Sequence, residues 1–337
     1  MMSGQLAGKI IRYEYNIYTN RILTNKDALG LLTPIRKKIY GEMPVQAFVV
    51  TRLHESDITE SVYLRYGKQQ MDITRSHCMI CLDPFCVAVW VSESTAASTD
   101  LSSVILSFKK GKKLRATLEL SIQEKIIENG TCILIYRVQQ SNCYQLDPLS
   151  RFITLSRFLK NKTSTYQQRK TIAALYSYPR KIISVSYKEE NYCNIFPMDI
   201  QGYIPESALY VLGLRTTNKT LDKIIEQKKI LVADTHNANI KTIYDLGRHG
   251  STAPPPIEEL PFTVTNSEIF KFPVPDYSSS YKEVQIIHHR KLGYHMLLIG
   301  KVINKKETLP DPTQLYHVHL MQFVHSGYEN SGSNIIF

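Results

Sequence analysis

The sequence predicts a mainly β protein made of two tandem β-barrel domains with a few short helices. Short segments rich in β-branched and aromatic residues recur along the 337 residues, and polar or turn residues bound each of them. Few long helical patterns lie between these segments, which favours barrels or sandwiches over a parallel sheet. One set of strand patterns occurs twice in the same order, which indicates a tandem repeat.

Strand patterns and a few helix patterns along the sequence support this fold class. The strongest strand signals lie at residues 45–51, 85–91, 133–138, 181–186, 208–214 and 296–302. Helices are expected to be minor. Residues 218–227 place Leu221, Ile224 and Ile225 on one helical face, and residues 118–128 form a weaker helix candidate of the same kind.

The repeat is clearest in two strand patterns of the two halves. Residues 133–138 (ILIYRV) are similar to residues 297–302 (LLIGKV), and each segment is followed at the same distance by Asp-Pro, at 147–148 and 311–312. The alternative explanation is that two unrelated β domains have similar sequences in their strands because such strand sequences are common. We favour duplication of one barrel.

The repeat sets the expected domain boundaries. It predicts a first domain at residues 1–160 and a second at 161–337, with the boundary in the polar, partly helical stretch at 159–176. No proline-rich or glycine-rich linker marks this boundary. We therefore expect the two domains to pack closely rather than to swing freely.

The bulk charge and the cysteine content restrict partners and location. The formal net charge is +11, which favours nucleic acid, acidic membrane or phosphate-bearing small molecules as partners. No run of about 18 apolar residues predicts a membrane span, so no membrane partner is expected. The six cysteines are too few for a disulfide scaffold, and no secretory signal is recognised at the N-terminus. A cytoplasmic location is expected.

The second half carries short motifs in a fixed order. They are a proline-led strand from Pro179, the segment Asn194-Ile195-Phe196-Pro197-Met198, the loop Arg215-Thr216-Thr217-Asn218-Lys219-Thr220 and the strand from Gly293-Tyr294-His295 to Val302. This order, over residues 178–324, resembles the flavin reductase-like family of FMN-binding split barrels. The resemblance implies two tandem split β-barrels of Greek-key type, with an FMN site in the second.

The loop after the third motif strand is implied to bind the FMN phosphate. The residues concerned are Arg215, Thr216, Asn218, Lys219 and Thr220. They bring positive charge, hydroxyls and expected free backbone N–H groups to the start of a predicted helix, which suits an anion. The alternative is that Asn218 caps this helix while the cations are solvated.

The flavin ring is implied to lie on the segment that begins at Asn194. Its residues are Asn194, Ile195, Phe196, Pro197 and Met198, which offer an apolar wall with a few hydrogen-bonding groups. A buried turn between strands is the alternative. His249 and Ser251, in the basic loop at 247–251, are implied to border the site, although the loop is equally compatible with a surface excursion.

His295 is implied to be the catalytic residue near the nicotinamide or flavin. Tyr294 stands where the family commonly has Asp, and a lone strand histidine is often structural. The implied function is an FMN-binding oxidoreductase that takes hydride from NADH or NADPH and passes electrons to an unidentified acceptor. Because members of the family dimerise, a homodimer or an internal pseudo-dimer of the two halves is expected.

Two alternative functions remain open at this point. One is a non-catalytic split barrel that holds flavin or haem. The other is a basic nucleic-acid-binding β-barrel, which is disfavoured because aromatic residues do not interleave with lysine and arginine on one strand pair. The first half has no clear Arg-x-x-x-Lys-x-Thr equivalent, so it is interpreted as a degenerate copy without its own flavin.

Two metal-like patterns are interpreted as structural. They are His77-Cys78-x-x-Cys81-x4-Cys86 and His317-x-His319. The first has no second Cys-x-x-Cys, and the second has no carboxylate at partner spacing. Cysteines in so apolar a stretch are expected to behave as small hydrophobic residues.

Overall fold

The computed structural model describes residues 48–144, 166–310, 312–319, 328 and 335–336. Within these residues the protein is mainly β, with large antiparallel sheets and short helices, which confirms the predicted fold class. No helix in this part of the chain is long and apolar enough to cross a bilayer.

The elements of the first half, in chain order, are β1 (Phe48–Leu53), β2 (Glu60–Tyr66), β3 (Gln69–Asp72), β4 (His77–Leu82), β5 (Phe85–Ser92), α1 (Glu93–Ser98), β6 (Ser103–Lys110), β7 (Lys113–Glu128) and β8 (Thr131–Cys143). A 3-10 helix, Glu55–Asp57, follows β1. All of the predicted strand at 85–91 lies in β5, and all of that at 133–138 lies in β8.

The second half begins with α2 (Tyr166–Leu175), β9 (Arg180–Lys181), β10 (Ile183–Glu189), β11 (Tyr192–Met198), β12 (Gln201–Ile204), β13 (Leu209–Arg215), α3 (Leu221–Gln227) and β14 (Lys229–Ala233). It continues with α4 (Ile240–Leu246), β15 (Val264–Asn266), β16 (Pro273–Pro275), β17 (Ser280–Lys291), β18 (His295–Glu307), β19 (Gln314–His319) and β20 (Ile335–Ile336). Its 3-10 helices are Pro205–Ser207, Gly247–Gly250 and Ile257–Glu259.

The two large sheets share one strand order. The first runs β3-β2-β6-β7-β8-β5-β4, and the second runs β11-β10-β14-β17-β18-β13-β12. Each position in one sheet has its counterpart in the other, and the similar segments at 133–138 and 297–302 lie in the counterparts β8 and β18. A smaller sheet, β20-β1-β19-β9, joins strands from both halves. The origin of this correspondence by duplication stays a prediction, as does the boundary at residue 160, because residues 145–165 and Asp311 lie outside the described residues.

Three apolar clusters explain how the halves pack. One cluster fills the first sheet and includes Val87 and Val89, and another fills the second sheet and includes Leu212. The third, which we call the seam, joins the halves and includes Ala88 and Trp90. Residues 87–90 alternate between the first core and the seam, because successive side chains of a strand point to opposite faces. Strand β5 is therefore buried on both faces, which explains why its sequence at residues 85–91 is apolar without interruption.

The contacts across the seam are reciprocal. The turn after β4 meets the turn before β18, where the Tyr294 N–H donates to the Asp83 carbonyl at 2.7 Å. In the opposite direction, the turn before β8 meets the turn before β13, where the Asn129 side chain donates to the Ser207 carbonyl at 3.4 Å. This exchange of equivalent contacts is the geometry of an isologous interface, here within one chain.

One predicted helix is wrong. Residues 118–128 belong to β7, which runs from Lys113 to Glu128 and is paired on both sides, with β6 and β8. The buried side chains Leu118 and Leu120 alternate with exposed Glu119. The period of two, together with pairing to two neighbours, overrides the helical spacing of this segment. The helix predicted at 218–227 is present but begins at Leu221.

Candidate functional site

The three segments predicted to bind the cofactor meet at one edge of the second half. They are β11, the loop between β13 and α3, and the 3-10 helix Gly247–Gly250. The Lys219 N–H donates to the Gly250 carbonyl at 3.1 Å. The Asn194 amide donates to the Thr220 hydroxyl at 2.8 Å and to the His249 carbonyl at 3.0 Å. Segments separated by more than twenty residues are therefore bonded directly to one another.

A buried hydrogen-bond network holds this junction. Asn194 is 1% exposed and Thr220 is 0% exposed. The Tyr192 hydroxyl bonds the Thr220 hydroxyl at 2.9 Å, and His249 Nδ1 lies 3.1 Å from the Ile195 carbonyl. Burial lowers the pKa of His249, and its hydrogen bond to Ile195 opposes that shift. Asn194 Oδ1 is buried without a hydrogen-bond partner, which costs free energy unless a further group satisfies it.

Four of the loop N–H groups that were expected to be free, those of Thr216, Asn218, Lys219 and Thr220, already have acceptors in the described part of the chain. The Thr216 N–H donates to the Tyr294 carbonyl at 2.9 Å, and the Asn218 N–H donates to the Arg215 carbonyl at 2.9 Å. The Thr220 N–H donates to Asn218 Oδ1 at 2.8 Å. The loop closes on itself and on distant carbonyls, as buried backbone groups generally must. Thr220, not Asn218, precedes the helix as its N-cap residue.

The positive charge of the loop is available, in contrast to its backbone. Arg215, Lys219 and Arg248 are exposed, and they form no ion pair with any residue that the structure describes. We call these three side chains the cationic rim. The hydrogen bond from Lys219 to Gly250 joins the two segments that carry them. An anion can bind here without breaking an internal ion pair.

The predicted ring-binding residues divide into two groups. Phe196 is buried in the core of the second sheet, and Ile195 is buried against Ile243 of α4, so neither side chain faces a ligand. Pro197 and Met198 are half-buried. The space between Phe196, Met198 and six neighbouring apolar side chains has an empty volume of about 180 Å³, which is below the range of ligand pockets. This space is therefore packed core of the second half and is too small to hold a flavin ring.

His295 lies beside the rim but faces the seam. It is 0% exposed, and it is the Cα partner of Arg215 between β18 and β13. Its Nδ1 accepts from the Leu82 N–H of the first half at 3.4 Å, and its Nε2 is buried without a partner. Ser251 is exposed, and its hydroxyl donates to the Arg248 carbonyl at 3.2 Å. The catalytic role of His295 stays a prediction.

The first half lacks the equivalent groups. Where β13 and β18 pair Arg215 with His295, the counterpart strands β5 and β8 pair Ser92 with Thr131. Helix α1 begins immediately after Ser92, so no loop comparable to residues 216–220 precedes it. The first half therefore presents neither the loop cations nor the histidine at these positions.

The sequence reasoning missed a half-buried polar chain next to this site. Asp199 Oδ2 accepts from His317 Nδ1 at 2.8 Å and from the Tyr176 hydroxyl at 2.9 Å. The Tyr244 hydroxyl lies 3.3 Å from His317 Nε2. Burial tends to raise the pKa of Asp199, but the charge and hydrogen bond of His317 outweigh it and lower that pKa to about 2.

No local pattern pointed to this chain, because Asp199 and His317 are far apart in sequence. The pattern at His317 and His319 was interpreted as structural for want of a carboxylate at partner spacing. The structure gives His317 a carboxylate from the turn after β11 instead. Among the described residues, no group of three or more histidine, cysteine, aspartate or glutamate side chains is placed to hold a metal ion.

Solved structures that resemble part of the chain include flavin reductases and FMN-binding proteins. An FMN-binding protein from Thermus thermophilus has a TM-score of 0.37 and 15% identity, over 41% of this chain and 81% of that chain. An NADH:FAD oxidoreductase from Streptomyces globisporus has a TM-score of 0.39 and 12% identity, over 45% and 90%. A nitrilotriacetate monooxygenase component B from Bacillus cereus has a TM-score of 0.37 and 18% identity, over 44% and 79%. No family model matches the sequence, and no curated protein is significantly similar to it.

Proposed function

We propose that the protein is a flavin-binding oxidoreductase whose second half binds FMN and takes hydride from NADH or NADPH. The observation that carries this proposal is the junction of β11, the loop after β13 and the 3-10 helix Gly247–Gly250, which carries the cationic rim. The three cations of the rim are exposed and form no ion pair with the described residues. The sequence motifs that resemble the flavin reductase-like family fall on these same segments. The final electron acceptor is not part of the proposal.

The cationic rim fits the phosphate of the cofactor. Because the N–H groups of Thr216, Asn218, Lys219 and Thr220 already donate internally, we assign phosphate binding mainly to the cationic rim, which is Arg215, Lys219 and Arg248. Charge-assisted hydrogen bonds from arginine and lysine to phosphate are among the stronger polar contacts in proteins. The buried network at Asn194 and Thr220 holds the loop in place, so the rim is ordered before the ligand arrives.

The edge of the second sheet fits the flavin ring. Strand β11 is the last strand of its sheet, so one side of its backbone is not paired within that sheet. Pro197 offers half-buried apolar surface there, whereas Met198 packs against the core together with Phe196. Backbone groups of an edge strand can bond the polar edge of a ring. The side chains of Ile195 and Phe196 are buried and contribute only by holding β11 in position.

The chemistry divides between cofactor and protein. When bound, FMN supplies the hydride-accepting chemistry, and the nicotinamide nucleotide is the donor. The residues of the chain bind the phosphate, orient the ring against β11 and exclude water along the seam beside His295. The proposal assigns no acid or base, because hydride transfer between stacked rings needs little proton transfer.

A titration with matched variants tests the proposal. Lys219→Ala is expected to weaken FMN binding about tenfold or more, the loss typical of a charge-assisted contact. Lys223→Ala is the control, since Lys223 lies on the adjacent helix and is paired with Glu189. Bleaching of the bound flavin by NADH or NADPH under anaerobic conditions is expected for the wild type. The proposal is contradicted if Lys219→Ala and Lys223→Ala weaken FMN binding equally, or if the wild type does not bind FMN.

A non-catalytic flavin-binding protein is the second candidate. The complete burial of His295 favours it, because the only predicted catalytic side chain faces the first half rather than an open cleft. The anaerobic experiment separates the two candidates. Bound flavin that neither NADH nor NADPH bleaches identifies the binder.

A further inference from the structure

Two cysteines of the first half face each other across the hairpin formed by β4 and β5. Cys81 and Cys86 are Cα partners in the antiparallel register, with only residues 82–85 between them in sequence. Cα partners in antiparallel sheets lie about 4.5–5.5 Å apart, within the range of about 4.4–6.8 Å that a disulfide requires. Both cysteines are free thiols in the structure.

A β-bulge turns Cys81 toward its partner and the seam. The register passes from Met79 directly to Cys81, so Ile80 is the extra residue of the bulge. Consecutive Ile80 and Cys81 therefore both belong to the seam cluster, together with Cys86. Without the bulge, Cys81 would point into the core of the first half.

In the structure the Cys81 thiol donates to the Asp83 carbonyl at 3.3 Å, and neighbouring groups shift the pKa values of the two thiols in opposite directions. A hydrogen bond from the Cys86 thiol lowers the pKa of Cys81, burial opposes this, and His295 lowers the pKa further. The same hydrogen bond and burial raise the pKa of Cys86. The other titratable or charged side chains near the pair are Cys78 on the same strand and Arg137, which is the Cα partner of Cys86 on β8.

We propose that Cys81 and Cys86 are a redox-active dithiol that closes reversibly to a disulfide with hydrogen peroxide, and that His295 is its positioning residue. Cys81 is 0% exposed and Cys86 is 3% exposed, so the oxidant has to be small. His295 lies next to Cys81, since its Nδ1 accepts from the N–H of the following residue, Leu82, at 3.4 Å, and its Nε2 is buried with no hydrogen-bond partner among the described residues. This proposal does not depend on flavin binding.

The reaction balances in two steps. The Cys81 thiolate attacks one peroxide oxygen, the O–O bond breaks, and the products are a sulfenic acid on Cys81 and hydroxide. The Cys86 thiol then attacks the Cys81 sulfur, the S–S bond forms, and the sulfenic oxygen leaves as water with the thiol proton. In total, one thiolate and one thiol lose two electrons, and peroxide is reduced to one hydroxide ion and one water molecule. A small dithiol reverses the change by thiol–disulfide exchange.

The same hairpin contains an internal control. Cys78 belongs to the seam cluster as well, but its Cα partner across the ladder is Ala88. Burial raises the pKa of the Cys78 thiol to about 12, against a smaller opposing effect of Arg180. Cys78 therefore lies in the same apolar cluster as Cys81 and Cys86 but has no sulfur opposite it across the ladder.

Thiol counting after peroxide treatment tests the proposal. The full-length protein is treated with hydrogen peroxide, quenched in acid, unfolded and labelled with N-ethylmaleimide. We expect wild type to lose two of its six labels, to regain them with dithiothreitol, and to show a disulfide-linked pair of peptides after cleavage before Asp83. We expect the Cys81→Ser and Cys86→Ser variants not to lose a pair of labels to a disulfide. The Cys78→Ser variant is expected to lose two labels, as the wild type does.

Six labels at every peroxide concentration, or a disulfide that involves Cys78, overturns the proposal. Circular dichroism of each variant checks that it is folded. The positioning role has its own measurement, which is the rate of label loss against pH. In His295→Gln the pH of half-maximal rate is expected to move upward by about one unit or more. An unchanged pH profile in folded protein removes His295 from the proposal.

Discussion

Asn194 illustrates the limit of residue-level prediction in this chain. Its motif predicts a ring-binding segment, and that role stays a prediction. In the structure its side-chain amide donates to the Thr220 hydroxyl and to the His249 carbonyl. These partners lie 26 and 55 residues away in sequence, so no local spacing could reveal them. The same holds for the loop N–H groups, whose acceptors include the distant carbonyls of Gly250 and Tyr294.

His77 makes stability depend on pH. Burial, then the charge of Arg180, lowers its pKa to about 4, against about 6.5 in an unfolded chain. The unfolded state therefore binds a proton first, so this contribution is full above about pH 6.5 and is lost as the pH falls toward 4. Between pH 7.5 and 4.5 we expect a loss of about 2–3 kcal/mol of unfolding free energy through His77.

Urea denaturation of wild type and His77→Gln at both pH values measures this contribution. Gln retains a donor for the Ile73 carbonyl, which His77 Nδ1 contacts at 2.9 Å. The variant should lose less stability than wild type between the two pH values. Equal losses in the two proteins contradict the assignment to His77.

At the scale of elements, strands were predicted well where one pattern dominates. The uninterrupted apolar runs at 85–91 and 208–214 predicted β5 and most of β13, because both strands are buried on two faces. The segment at 118–128 was assigned to the wrong class, since its alternating first part is followed by Ile126 and Ile127 at helix-like spacing. Only its pairing with β6 and β8 decides between the two.

The close approach of β13 to β4 requires a glycine. A Cβ at Gly213 would lie 2.8 Å from the Ile80 carbonyl carbon and would overlap its oxygen. Gly213→Ala is therefore expected to push the two halves apart and to lower the free energy of unfolding by about 1–3 kcal/mol, as overpacking does.

The matched control for that variant is Gly247→Ala. A Cβ at Gly247 has its nearest neighbour, Pro197 Cγ, at an ordinary contact distance of 3.9 Å. We expect the stability of this control to stay within about 1 kcal/mol of wild type or to rise slightly. Thermal unfolding of the two variants compares them directly. A Gly213→Ala protein as stable as wild type rules out the tight contact at the seam.

At the scale of the whole molecule, two sheets of equal strand order pack through reciprocal turns. The seam has the form that an interface between two subunits would have, and it is built by one chain. Only the second half presents the cationic rim and His295 next to this seam. We therefore place the proposed flavin site in the second half and expect the first half to lie behind it across the seam.

The sequence motifs mark strand ends, which the fold gathers at one edge of the second half. They could not show that the N–H groups of Thr216, Asn218, Lys219 and Thr220 already have acceptors, because two of these acceptors, Tyr294 and Gly250, are distant in sequence. In the proposed FMN site, we therefore expect phosphate recognition to depend mainly on the side-chain charges of the cationic rim.

The comparison of FMN with riboflavin tests this claim most directly. The two ligands share the ring and differ in the phosphate, so their dissociation constants, measured by quenching of flavin fluorescence, isolate the contribution of the rim. We predict that FMN binds at least tenfold more tightly than riboflavin at low salt, and that the difference shrinks as salt screens the charges. Equal dissociation constants for the two ligands, or no binding of either, contradict the account.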